Sequence, residues 1–117
     1  KIGVQIAKEY ADDEDAFSKK IYDVIGAGVG IIESVPAAVS IAYYTQDPNK
    51  CCLMCANLGG DTDTIGAMAT AICGAFVGYS KINPEYTELL RVQNPETDFE
   101  EYINILEKGR ELLGCGR

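Results

Sequence analysis

Apolar residues along this chain recur mostly every three or four positions, and the breaks between runs fall at Gly, Pro, Asn and Asp. After the acidic run Asp12-Asp13-Glu14-Asp15, which suits the first turn of a helix, Phe17, Ile21 and Val24 share one helical face and Gly26 is the expected stop. Residues 1–11 fit two patterns: Ile2, Val4 and Ile6 alternate like a strand, while Ile2, Ile6 and Tyr10 fit one helical face. Ser34 is the expected cap of the next helix, with Pro36 in its first turn. Ala37, Ala38, Val39, Ile41, Ala42, Tyr43 and Tyr44 make that segment apolar nearly all round, which predicts a central, buried helix. Asp47-Pro48 opens another, carried to Gly59 by Cys51, Cys52, Met54, Cys55 and Leu58.

Beyond residue 64 two stripes run together. Ile65, Met68, Ile72, Phe76 and Tyr79 form an apolar one; Gly66, Thr70, Gly74 and Gly78 form a small-residue one at steps of four. Small residues at that spacing let a second helix approach closely, so bulk at Gly74 is expected to damage folding. Asn83-Pro84 opens a short helix through Leu89 and Leu90, and Asn94-Pro95 is a linker turn. Thr97-Asp98-Phe99-Glu100 reads as a capping box. It precedes a last helix with Phe99, Tyr102, Ile103, Leu106 and Leu113 on its apolar face, ended by Gly114. The pattern predicts an all-α protein, with residues 1–117 as a single domain.

Charge narrows the partners. The net charge is −8, with Lys plus Arg numbering 10 and no His, which argues against nucleic acid and against an anionic membrane surface. No stretch reaches the roughly 20 apolar residues a membrane span requires. Five cysteines sit in apolar patterns (Cys51, Cys52, Cys55, Cys73) or near the end of the chain (Cys115), which reads as reduced and intracellular, a cytoplasmic expectation. Cys52-x-x-Cys55 has no second CxxC and no His to complete a zinc site, so buried structural thiols are the expected reading.

The stretch with the most chemistry is Leu58-Gly59-Gly60-Asp61-Thr62-Asp63-Thr64. Carboxylates two residues apart, with hydroxyls beside them and a helix beginning at once, suit a hard divalent cation such as Mg²⁺, which takes oxygen ligands. The competing reading makes Asp61 and Asp63 mere helix caps. A second stretch, Gly26-Ala27-Gly28-Val29-Gly30, superficially matches a dinucleotide fingerprint. That motif needs Gly where Ile31 stands, and Pro36 would fall inside its helix. A loop bringing backbone close to a ligand, or a plain structural turn, remains. The acidic run at 12–15 is read as a solvated helix start rather than a metal site.

These two stretches together resemble the ADP-ribosylglycohydrolases, a family related to the dinitrogenase reductase-activating glycohydrolase. The resemblance lies in Leu58 to Ala69 with the small-residue rhythm on to Gly78, and upstream in Gly26 to Val29 followed by Glu33-Ser34-Val35-Pro36-Ala37-Ala38. It implies an all-α orthogonal bundle of which this chain is the C-terminal part. It implies a site with two Mg²⁺ ions, Mn²⁺ being the alternative, for which Asp61, Asp63 and Thr64 are the metal ligands supplied here. Asp61 and Asp63 are also the candidate catalytic residues. By the same resemblance Gly26, Ala27, Gly28 and Val29 line an ADP-ribose, with Val29 against the adenine. The reaction implied is hydrolysis at C1″ of the distal ribose of an ADP-ribosylated protein or small ADP-ribosyl compound.

The family's remaining metal ligands come from a Thr/Ser-Asp-Asp motif that the sequence lacks, since Ala11 precedes Asp12-Asp13. The chain is therefore expected to need the missing N-terminal half of the domain, and alone not to be a competent hydrolase. The alternative is a non-catalytic relative on the same fold, an ADP-ribose-binding or crystallin-like structural protein.

Overall fold

The computed structural model describes residues 1–114, and Cys115 lies outside them. Among the described residues there are seven α-helices and no strand: α1 (Ile2–Glu9), α2 (Glu14–Val24), α3 (Ile31–Thr45), α4 (Pro48–Leu58), α5 (Thr62–Val77), α6 (Pro84–Gln93) and α7 (Phe99–Leu112), with a 3-10 turn at Tyr79–Lys81. The fold is all-α. They divide into two compact units, one holding α1 to α5 (Lys1–Ile82), the other beginning at Asn83 and holding α6 and α7.

In the first unit the core is built from Phe17 and Ile21 of α2, Ile41 of α3, Cys51 and Cys55 of α4, and Ile65 and Cys73 of α5, all almost fully buried. The ambiguous start of the chain is helical: Gly3, Ile6 and Ala7 form its buried face. Phe17 stacks on Tyr44 with ring centroids 3.9 Å apart and planes within 7°. The Tyr44 hydroxyl donates to the carbonyls of Tyr10 and Ala11, fixing the α1–α2 connection against α3. Lys50 pairs with Glu14 across α4 and α2. The thiols of Cys51, Cys55 and Cys73 are buried together as expected, but Cys52 faces solvent against the expectation of a buried thiol, because the CxxC pair is split between two sides of α4. Contact with the Cys55 thiol, then burial, pushes the Cys51 thiol far above its ordinary value, and the same contact lowers that of Cys55.

Three expectations need correction. First, α3 starts at Ile31, with Gly30 rather than Ser34 at the cap position, and Pro36 lies inside the helix. The first turn closes early because Glu33 reaches back to the Gly28 N–H (2.8 Å) and the Ser34 hydroxyl donates to the Gly30 carbonyl (3.2 Å). Pro36 then removes one backbone donor from the second turn. The helix is also not buried all round: Ile32, Val39 and Tyr43 are exposed. Val39 and Tyr43 border two neighbouring grooves, of about 550 Å³ towards Ile2, Val4 and Val24 and about 410 Å³ towards Ile72 and Phe76.

Second, the buried seam of α5 is Ile65, Ala69 and Cys73, while Ile72 and Phe76 are exposed. Helix α5 ends at Val77, so Gly78 and Tyr79 lie beyond it. The small-residue stripe makes a close approach only at Gly66, where an added Cβ would lie 3.4 Å from that of Cys55; at Gly74 it would meet nothing within 4 Å. Gly74→Ala is therefore expected to raise the stability of this chain by about 1 kcal/mol through helix propensity, read as a higher thermal midpoint. A lower midpoint would show that Gly74 packs.

Third, the cap of α7 is Asp98, which accepts from the Glu101 N–H (3.0 Å), one place later than the expected Thr97. In the second unit Asn83 caps α6 as expected, but no residue of α6 or α7 is buried.

Candidate functional site

The acidic motif sits at a sharp joint. Helix α4 begins with Asp47 accepting from the N–H groups of Asn49 and Lys50, and it ends at Gly59. Gly59 (φ 85°) and Gly60 (φ 72°) then take two successive left-handed steps, which glycine adopts without steric cost. These turn the chain into the first residues of α5.

Gly60 is needed for a second reason. A Cβ there would lie 2.1 Å from the carbonyl oxygen of Ala27 and 2.9 Å from its carbon. The adjoining Asp61 N–H donates to that same Ala27 oxygen at 2.7 Å. The fold thus brings the glycine loop between α2 and α3 directly against the acidic motif. Gly26 (φ 93°) starts that loop, Ala27 is buried within it, and Val29 projects from it with 86% of its surface exposed.

Asp61 occupies the cap position of α5, yet its side chain makes no capping hydrogen bond. The contrast within the molecule is plain: Asp13, Asp47, Asn83 and Asp98 all accept from first-turn N–H groups of their helices. The helix-cap reading therefore fails for Asp61, whose carboxyl group turns to Asp63 instead. Interaction with the Asp61 side chain, then hydrogen bonds from the N–H groups of Thr64 and Asp63, hold Asp63 below the ordinary carboxylate range. Asp61 is half-buried, and Asp63 and Thr64 are exposed. Oxygen donors, open to solvent and adjacent, match what a hard divalent cation takes. Among the described residues no group of three or more His, Cys, Asp or Glu comes together in a metal-binding arrangement. Asp61 and Asp63 are a pair, and a cation there would draw its further oxygens from hydroxyl groups, water or another segment.

The acidic run at 12–15 is spent on structure: Asp13 caps α2 and Glu14 pairs with Lys50. Glu33 is the residue whose part in the loop the sequence pattern did not reveal. Its carboxylate lies inside the glycine loop, and the motif in which it stands gave no hint of a contact five residues back.

An all-helical chain with this loop-and-acidic-motif junction defines a class, and comparison with known proteins assigns it. The match to the ADP-ribosylglycohydrolase family runs over residues 3–113, and the chain belongs to that family. Its relatives include the uncharacterized protein YegU of Escherichia coli, 50% identical over 102 residues covering 86% of this chain and 30% of the relative. ADP-ribosylhydrolase ARH3 of Xenopus tropicalis is 35% identical over 86 residues, 64% of this chain and 25% of the relative. ADP-ribosylarginine hydrolase Tri1 of Serratia proteamaculans is 30% identical over 96 residues, 71% of this chain and 26% of the relative. The chain thus spans less than a third of the length of each of these proteins. No solved structure matches it. Among the described residues, no helix is long and apolar enough to cross a membrane.

Proposed function

We propose that this chain supplies one side of the active site of an Mg²⁺-dependent ADP-ribosyl hydrolase. The observation that carries the proposal is the Asp61 side chain, which caps no helix and lies beside Asp63, on a residue whose N–H is hydrogen-bonded to the glycine loop. Family membership and relatives named as ADP-ribosylhydrolases support the substrate class.

In this reading Asp61, Asp63 and the Thr64 hydroxyl hold the cation. Bound Mg²⁺ would supply Lewis-acid chemistry and orient hydroxyl groups of the distal ribose. In this reading the main chain at Gly26 to Val29 runs along the ADP-ribose, the Glu33 carboxylate occupying the space beside Gly26 and Gly28. Val29, already bare of protein contacts over most of its surface, offers an apolar face to the adenine. Asp61 and Asp63 are the candidates for receiving or returning a proton at C1″.

The remaining oxygens and the rest of the fold come, we propose, from the part of the family domain outside this chain. The exposed apolar residues Ile32, Val39, Tyr43, Ile72 and Phe76 support that, since burying such side chains is worth about 1.5–3 kcal/mol each. Calorimetric titration with ADP-ribose tests the proposal. Heat of binding is expected with Mg²⁺ present and is expected to vanish on adding EDTA. Binding indifferent to EDTA would contradict the cation's role, and no binding at millimolar ADP-ribose would contradict recognition by this side of the site.

A further inference from the structure

We infer that Glu33 is the positioning residue of the site, gripping the one peptide group that joins the glycine loop to the acidic motif. The importance of that junction rests on the function proposed above; the linkage itself does not.

The peptide in question links Ala27 to Gly28. Its N–H donates to the Glu33 carboxylate at 2.8 Å, and its carbonyl accepts from the Asp61 N–H at 2.7 Å. In a planar trans peptide these two groups point in opposite directions. Glu33 and Asp61 therefore hold the same rigid plate from both ends. Rotating the plate would break both bonds at once, and each bond polarises the peptide in favour of the other. Glu33 thus acts on the main chain of Asp61 without touching it.

The space around the carboxylate is made for it. A Cβ at Gly26 would lie 2.4 Å from the Glu33 Oε2, and one at Gly28 would lie 2.8 Å from it. Both glycines leave room for the carboxylate as well as giving the loop its turn. Glu33 also sits in the first turn of α3, where negative charge is favoured. That placement would explain an acidic residue, but not a carboxylate reaching past the cap residue Gly30 to Gly28. Its hold on the loop has a consequence for the site: the Gly28 N–H is already engaged, so this donor is used to shape the loop.

The test uses ¹⁵N-labelled chain without ligand, comparing Glu33→Ala, Glu33→Asp and Glu33→Gln with the natural sequence. Glu33→Ala should shift the amide resonances of both Gly28 and Asp61. Glu33→Gln keeps an acceptor of the same reach and should return both close to their natural positions. Glu33→Asp, one methylene short, should shift both again, and it carries the test if the alanine variant does not fold. An Asp61 amide that stays in place while that of Gly28 moves would overturn the inference. So would a Gln variant as perturbed as the Asp variant, which would reduce Glu33 to a charge at a helix start. A second arm measures Mg²⁺-dependent ADP-ribose binding, expected to weaken about tenfold in Glu33→Asp and to be rescued in Glu33→Gln. If the amides move together and the natural chain binds no ADP-ribose, the linkage stands and the proposed function fails.

Discussion

Replacing Asp61 and Asp63 together by Ala should abolish Mg²⁺-dependent ADP-ribose binding while lowering stability by only about 1 kcal/mol or less. The separation of the two effects follows from how these side chains are used. Asp61 stands at a helix cap without capping, so its removal costs the helix no side-chain hydrogen bond. Asp63 is exposed, and its acceptance from the Thr64 and Asp63 N–H groups in the first turn is the small stabilising contribution that is lost. Loss of an outer partner of a metal ligand already costs 10–100-fold, so loss of both carboxylates is expected to cost at least about a hundredfold. Asp47→Ala provides the opposite control. It removes an acceptor for the N–H groups of Asn49 and Lys50, and should cost about 1 kcal/mol of stability without affecting the cation. Calorimetry and thermal denaturation on the same samples separate the two. Retained Mg²⁺-dependent binding in the double variant would remove the metal role from this motif.

Gly60→Ala should be the most damaging single substitution at the site. The residue is held at φ 72°, and its new Cβ would be driven to 2.1 Å from the Ala27 oxygen, a main-chain atom with nowhere to go. Relief requires the loop and the start of α5 to part, which breaks the Asp61–Ala27 hydrogen bond. A loss of about 3 kcal/mol is expected, or about 12 °C or more in the thermal midpoint for a unit of this size. Gly59→Ala should cost less. Its φ is also positive, but its Cβ would meet only the Tyr22 ring at 3.4 Å. A Gly60→Ala protein as stable as the natural one would mean that the two motifs are not in contact.

Much of the helical framework was legible because caps are chemical. Asp47-Pro48, Asn83-Pro84 and the acidic run before Phe17 each start a helix where the residue types say it should, and Gly26 ends one. The glycine loop and the acidic stretch were legible as motifs. Their contact was not, because it is made by main-chain groups of Ala27 and Asp61, and only Gly60 carries a trace of it in its residue type. Glu33 escaped for a related reason: an acidic residue before Ser34 and Pro36 looked like part of a connection until Gly30 proved to be the cap.

Periodicity misled in one consistent way. It identifies residues that share a face, but not whether that face is covered. On α5 the stripe continuing through Ile72 and Phe76 is exposed, and Gly74 borders open space. On α6 and α7 the expected apolar faces are present in the sequence, yet no residue is buried. The chain spans less than a third of the relatives compared above, and a pattern selected in a longer protein need not be satisfied within this span.

The measurement that tests the metal-bearing role of the motif most directly is Mn²⁺ titration of the ¹⁵N-labelled chain. Mn²⁺ takes the oxygen ligands that suit Mg²⁺ and broadens amide resonances close to where it binds. Broadening is expected first at Asp61 to Ile65 and at Gly26 to Gly28, and is expected to disappear when Asp61 and Asp63 are both Ala. Broadening that begins instead at the acidic run Asp12 to Asp15, with the Asp61 to Ile65 amides sharp, would contradict a cation site at the loop junction.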